Sequence, residues 1–146
     1  MRSSIHKENF TLQSEPDLLQ PFLREKMAPL VERAGFDEKM RGSLMIVLGE
    51  AITNCIRHSY QNEPGHPIDV SFEEFSDQVV FRIRDYGKRV DLEEIKRREN
   101  PKLPPEKGGG LGVFIMKSMM DEVTYCPVHP EGNELMLMKK KARSRE

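Results

Sequence analysis

Seven apolar residues, Leu44, Val47, Leu48, Ala51, Ile52, Cys55 and Ile56, recur at intervals of three and four, and this spacing constrains the fold more than any other feature of the chain. It draws one continuous apolar stripe along a helix. Asp37 stands where an N-cap belongs, so the helix is predicted from there to about Ser59. A stripe of this kind must be buried against another layer.

The flanking segments supply that layer. Phe10 and Leu12 alternate within Ile5–Gln13, which predicts an edge strand. Leu19, Phe22, Leu23, Met27, Leu30, Val31 and Ala34 then recur at three and four up to Gly35, a second amphipathic helix. Pro21 fits the first turn if that helix begins near Gln20, while Pro29 predicts a kink or a split. Downstream, Ile68, Val70 and Phe72, then Val79, Phe81 and Ile83, alternate on either side of a turn near Ser76 and Asp77, giving an antiparallel hairpin. A third helix is predicted from Leu111, followed by strands at Glu122–Cys126 and Asn133–Lys140. The order β, α, α, β, β, loop, α, β, β predicts an α+β fold: a two-layer α/β sandwich of a mostly antiparallel mixed sheet with helices on one face. A chain of 146 residues, 37% hydrophobic, has the size of one domain, residues 1–146.

Three clusters carry chemistry. Glu50, Asn54 and His58 stand four apart on the long helix and so share one face, with about 6 Å of rise between neighbours. A carboxylate there can take a proton from a hydroxyl, and an amide oxygen one turn away can ligate magnesium. Alone, the triplet is more simply a solvated helix face. Asp85 ends the alternating strand in RIRDYGK, with Gly87 beyond it; a carboxylate so placed can accept from the amino group of adenine, although an Asp and a Gly are also ordinary turn chemistry. The glycines Gly108, Gly109 and Gly110 run directly into the helical pattern GLGVFIMKSMM. Backbone amides beside a helix N-terminus suit phosphate, but a flexible linker before a helix has the same composition. The cluster is neither a Walker loop, because no Lys-Ser or Lys-Thr closes it, nor a Rossmann fingerprint, because a charged, proline-bearing loop and not a strand precedes it.

Other classes are disfavoured. The 23 Lys and Arg nearly balance the 24 Asp and Glu, so there is no global basic excess to advertise a direct nucleic-acid partner. No apolar run reaches the ~18 residues that would span a membrane, and MRSSIHKENF lacks a signal-peptide core. A soluble cytoplasmic protein is expected. Cys55 and Cys126 lack CxxC spacing, and His6, His58, His66 and His129 form no zinc-ligand pattern, so reduced thiols and no structural metal are expected.

Taken together and in this order, LGEAITNCIRHSY, RDYGKRVD and GGGLGVFIMKSMMDEV resemble the asparagine box and the two glycine boxes of the superfamily that joins histidine kinases to gyrase-type ATPases, and most closely those of the RsbW-type anti-sigma serine kinases. The likeness runs from Phe10 to Lys140 and includes GNEL, Gly132–Leu135, similar to a segment at the adenine end of the pocket. The resemblance implies ATP and Mg2+ as cofactors, with Glu50 as general base, Asn54 as magnesium ligand, Asp85 as the adenine-reading carboxylate and Gly87 beneath the base. It further implies that Gly109, Gly110, Leu111 and Gly112 hold phosphates through their backbone. Lys107 would reach the phosphates, Arg57 and His58 would line the phosphate side, Asn133 would lie at the adenine end, and residues at about 91–110 would form a lid. The implied activity is phosphorylation of serine or threonine on a STAS-domain anti-sigma antagonist, with a sigma factor as the other client and a homodimer as the working form. One departure is Arg89, which stands where many superfamily members carry a second glycine. The same motifs are open to an ATP-gated binding module without phosphotransfer and to the detached catalytic domain of a histidine kinase, the latter disfavoured because the phosphoacceptor helix and dimerisation hairpin are missing.

Overall fold

The computed structural model describes residues 3–89, 91, 93, 111–128 and 131–142. The chain order is strand β1 (His6–Gln13), helix α1 (Pro16–Phe22), a π-helical turn (Leu23–Met27), α2 (Ala28–Arg33), α3 (Glu38–Asn54), a second π turn (Cys55–Ser59), β2 (Pro67–Glu74), β3 (Gln78–Asp85), α4 (Leu111–Met119), β4 (Glu122–Pro127) and β5 (Asn133–Lys140). The five strands form one sheet in the order β1-β2-β3-β5-β4, with every described pairing antiparallel. This is the α+β architecture that the element order predicted.

Register explains where the core sits. Residues directly opposite each other on paired strands share a face, and one such row runs across all five strands: Phe10, Val70, Ile83, Leu135 and Tyr125. Phe72, Phe81, Leu137 and Val123 form a second row. Phe72, Phe81 and Leu137 have no exposed surface, nor do Leu48 and Ile52 of α3 or Met27 of the first π turn, and all of these belong to one apolar cluster. The alternating strands and the helical stripe therefore meet in a single core. Asp85 pairs with Asn133 on this same face, two residues beyond Ile83 and Leu135. The apolar face thus ends on a buried polar pair.

Local chemistry sets the helix ends. The Asp37 carboxylate accepts from the Met40 N–H at 2.8 Å, as an N-cap should. Gly35, at φ +97°, closes α2: its N–H donates to Glu32 O and the Phe36 N–H reaches Val31 O, the Schellman arrangement that needs a left-handed residue at its centre. The second helix departs from expectation at its start. It begins at Pro16 and not near Gln20, so Pro21 lies inside it. Pro29 neither breaks nor splits the helical run, because the π turn before it widens the coil, with the Ala28 N–H donating to Leu23 O. A wider turn relieves the clash between a proline ring and the carbonyl four residues back. No helix among the described residues is long and apolar enough to cross a membrane.

Candidate nucleotide site

Asp85 is 2% exposed, and four groups fix its surroundings. The Ser59 hydroxyl donates to Oδ2 at 2.8 Å, while the Gly87 N–H and Asn133 Nδ2 both donate to Oδ1 at 3.1 Å. Asn133 Nδ2 also donates to Lys88 O at 2.8 Å and to Ser59 Oγ at 3.2 Å. Cys55 is the fourth neighbour. Burial, and then the negative charge of Asp85, push its thiol well above the ordinary value, so it stays protonated. A buried carboxylate is tolerated only with such partners.

The backbone around Asp85 is tied down as closely. The Lys88 N–H donates to Ser59 O at 2.8 Å. Tyr60 Oη donates to Pro67 O at 2.6 Å and accepts from the Tyr86 N–H at 2.7 Å, and its phenol is pushed up to about 12, chiefly by burial. Gly87 has no room for a side chain, since a Cβ there would lie 2.3 Å from Ser59 O. Gly132 has two reasons to be glycine: its φ is +107°, and a Cβ would lie 2.3 Å from Asp85 O.

Between this cluster and α3 lies a small cleft, with polar lining from Asn54, His58, Ser59, Asp85 and Asn133 and apolar walls from Ala51, Ile83 and Leu135. Glu50 and Asn54 stand one turn apart on α3 where the start of α4 meets it. A Cβ on Gly112 would fall 2.8 Å from Glu50 Oε2 and 3.7 Å from Asn54 Nδ2. Ser59, beside Asp85, is nine residues from Glu50, on the order of 13 Å along a helix axis. The arrangement therefore has two ends. One is a buried acceptor cluster suited to a base, and the other is a carboxylate and an amide beside a helix start, suited to phosphates and a hard cation.

Most of the residues singled out from sequence come together here. Asn54, His58, Asp85 and Asn133 line the cleft, Glu50 stands one turn before Asn54 on α3 and meets Gly112 there, outside the cleft lining, and Gly87 packs under Ser59. Leu111 is the first residue of α4. Arg57 is exposed and does not line the cleft. Lys107, Gly109, Gly110 and the lid at about 91–110, apart from Asp91 and Glu93, lie outside the described residues. Sequence reasoning passed over Ser59, Cys55 and Gly132 as individual site residues. Ser59 and Cys55 stand inside the first motif and Gly132 opens GNEL, so position was the only available signal.

The chain is similar to known proteins over most of its length. A family model for the histidine kinase-like ATPase domain matches residues 12–139. The chain is 31% identical to the serine-protein kinase RsbW of Listeria innocua over 80% of this chain and 76% of that protein. It is likewise 31% identical to the RsbW of Oceanobacillus iheyensis over 68% of this chain and 66% of that protein, and 33% identical to the RsbW of Staphylococcus epidermidis over 70% and 68%. With its sheet, its α3 carboxylate and its Asp85 cluster arranged as described, the chain belongs to the family of histidine kinase-like ATPase domains, in the group of the RsbW serine-protein kinases.

Proposed function

We propose that this chain is a single ATP-dependent protein kinase domain that binds magnesium ATP in the cleft and transfers the γ-phosphoryl group to a serine or threonine hydroxyl of a partner protein. The observation that supports the reading is the buried pair of Asp85 and Asn133 in the cleft, together with Asn54 on its wall and Glu50 beside Gly112 one turn away. The residues fit the nucleotide. Gly87 and Gly112 let the backbone pack directly against Ser59 and Glu50, and Asp85, acceptor-only when ionised, suits the amino group of adenine. Asn54 offers one amide oxygen, which suffices for Mg2+ because that ion retains waters and phosphate oxygens in its shell. When bound, the ion neutralises charge on the phosphates.

In the transfer, Glu50 accepts the proton of the attacking hydroxyl as its oxygen bonds to the γ-phosphorus; the bond from that phosphorus to the β,γ-bridging oxygen breaks, and ADP leaves. Gly112 holds Glu50 and Asn54 in register with the start of α4. Lys107, Gly109, Gly110 and Leu111 complete the phosphate side, with residues at about 91–110 as the lid and Arg57 and His58 near its edge. The partner class follows from the motif resemblance: a STAS-domain anti-sigma antagonist as phosphoacceptor, a sigma factor as the second client, and a homodimer acting in the cytoplasm.

The test is incubation of the protein with Mg2+ and γ-labelled ATP in lysate of its own host. An acid-stable label on a small protein is expected, since phosphoserine survives acid and phosphohistidine does not. Only acid-labile label, or ATP binding with no labelled protein, would reject serine phosphorylation.

A further inference from the structure

We propose that Ser59 is the positioning residue for adenine recognition: its hydroxyl holds the Asp85 carboxylate in the orientation that meets the 6-amino group of a purine. The proposal rests on the ATP-binding reading above and adds a residue to it.

An aspartate carboxylate has a broad preference about its last torsion, so hydrogen bonds must set its plane. Here Oδ1 is held by the Gly87 N–H and Asn133 Nδ2, both at 3.1 Å, and Oδ2 by the Ser59 hydroxyl at 2.8 Å, the shortest of the three. An ionised carboxylate offers about four acceptor sites. Three are taken by these bonds, and the Cys55 thiol, a weak donor, also lies against the carboxylate, so an amino group arriving from the cleft competes only with that thiol. The Ser59 oxygen itself accepts from Asn133 Nδ2 at 3.2 Å, so Asn133, Ser59 and Asp85 form a chain in which each bond polarises the next. All three residues are buried and all three line the cleft.

The consequence is selectivity. A carboxylate only accepts, so it favours a purine with an amino group at position 6 over one with a carbonyl or with hydrogen there, and a fixed carboxylate discriminates better than one free to rotate. Ser59 reaches Asp85 because the π turn that ends α3 carries it there. It acts through Asp85 and not on the reacting atoms, so its effect should appear in nucleotide choice and not as a general loss of the fold.

The experiment titrates wild type, Ser59→Ala and Ser59→Cys with ATP and with purine riboside triphosphate, which lacks the 6-amino group. Both nucleotides are measured on the same folded protein, so a structural defect weakens both alike. Ser59→Ala is expected to weaken ATP about tenfold, near the lower end for a hydrogen bond to a charged group, and to leave the analogue nearly unchanged. Ser59→Cys, a weaker donor of similar size, is expected to show a smaller loss confined to ATP. Equal weakening of both nucleotides, or no weakening of ATP in either variant, overturns the assignment while the ATP site stands. A wild type that binds neither nucleotide overturns the ATP site itself, and the proposal with it.

Discussion

Substitution Gly112→Ala separates folding from chemistry at the phosphate end of the site. Gly112 is the second residue of α4, and its φ lies outside the left-handed region, so alanine is compatible with the backbone there. By restricting the unfolded chain, the change should stabilise by up to about 1 kcal/mol. Against this, the added methyl would sit 2.8 Å from Glu50 Oε2, whereas ordinary contact begins at 3.4 Å, so the carboxylate oxygen must retreat by about 0.6 Å. The far end of a glutamate can rotate away at small cost in stability. It cannot do so without leaving its place. Since a misplacement of ~1 Å at a reacting group can cost ~100-fold, kcat is expected to fall roughly 10- to 100-fold. Thermal melting together with single-turnover phosphotransfer at saturating ATP reads both effects on one preparation. The expected result is a melting temperature equal to or slightly above wild type with a large loss of transfer. Wild-type transfer would refute the packing of α4 against the Glu50 carboxylate or its proposed role, and a marked drop in melting temperature would refute the claim that only a flexible side-chain end is in the way.

Two other outcomes follow from the same geometry. Gly87→Ala and Gly132→Ala each press a methyl to within 2.3 Å of a backbone oxygen, and Gly132 adds a left-handed φ; each should destabilise by about 1–3 kcal/mol, read as a lowered urea midpoint, and an unchanged midpoint would contradict the packing around Asp85. Stability should also fall on the alkaline side. The fold keeps Cys55 and Tyr60 protonated where the unfolded chain loses those protons, so their contribution is full below the unfolded values and declines as pH rises past about 8.5 for the thiol and about 10 for the phenol. Urea midpoints between those two values should decline less in Cys55→Ala, and an unchanged slope would show that the thiol ionises freely in the fold.

The sequence revealed the strands, the hairpin and α3 because their apolar residues recur at the periods of a strand and a helix, and burial of those residues decides the fold. It also placed Asp85 and Asn133 at strand ends, where register later put them side by side on the inward face. Ser59 was not legible in this way. A regular α-helix turns about 140° between Asn54 and Ser59 once whole turns are removed, which takes the serine off the line of Glu50, Asn54 and His58. The π turn takes more residues per revolution and brings it to Asp85. Pro29 misled for a related reason: the cost of a helical proline depends on whether the turn before it can widen, and composition does not encode that. Gly132 read as one member of GNEL, and only the closeness of Asp85 O explains why a side chain is excluded there.

The central claim is that the α3 carboxylate and the Asp85 cluster are the two ends of one nucleotide site, and calorimetric titration of ATP with Mg2+ into wild type, Glu50→Ala and Asp85→Asn, followed by phosphotransfer on the same samples, tests it most directly. Glu50→Ala is expected to bind ATP within a few-fold of wild type, on the order of 1 kcal/mol or less, and to transfer nothing, while Asp85→Asn is expected to lose ATP binding. ATP binding that survives Asp85→Asn unchanged, or transfer that survives Glu50→Ala, would contradict the account.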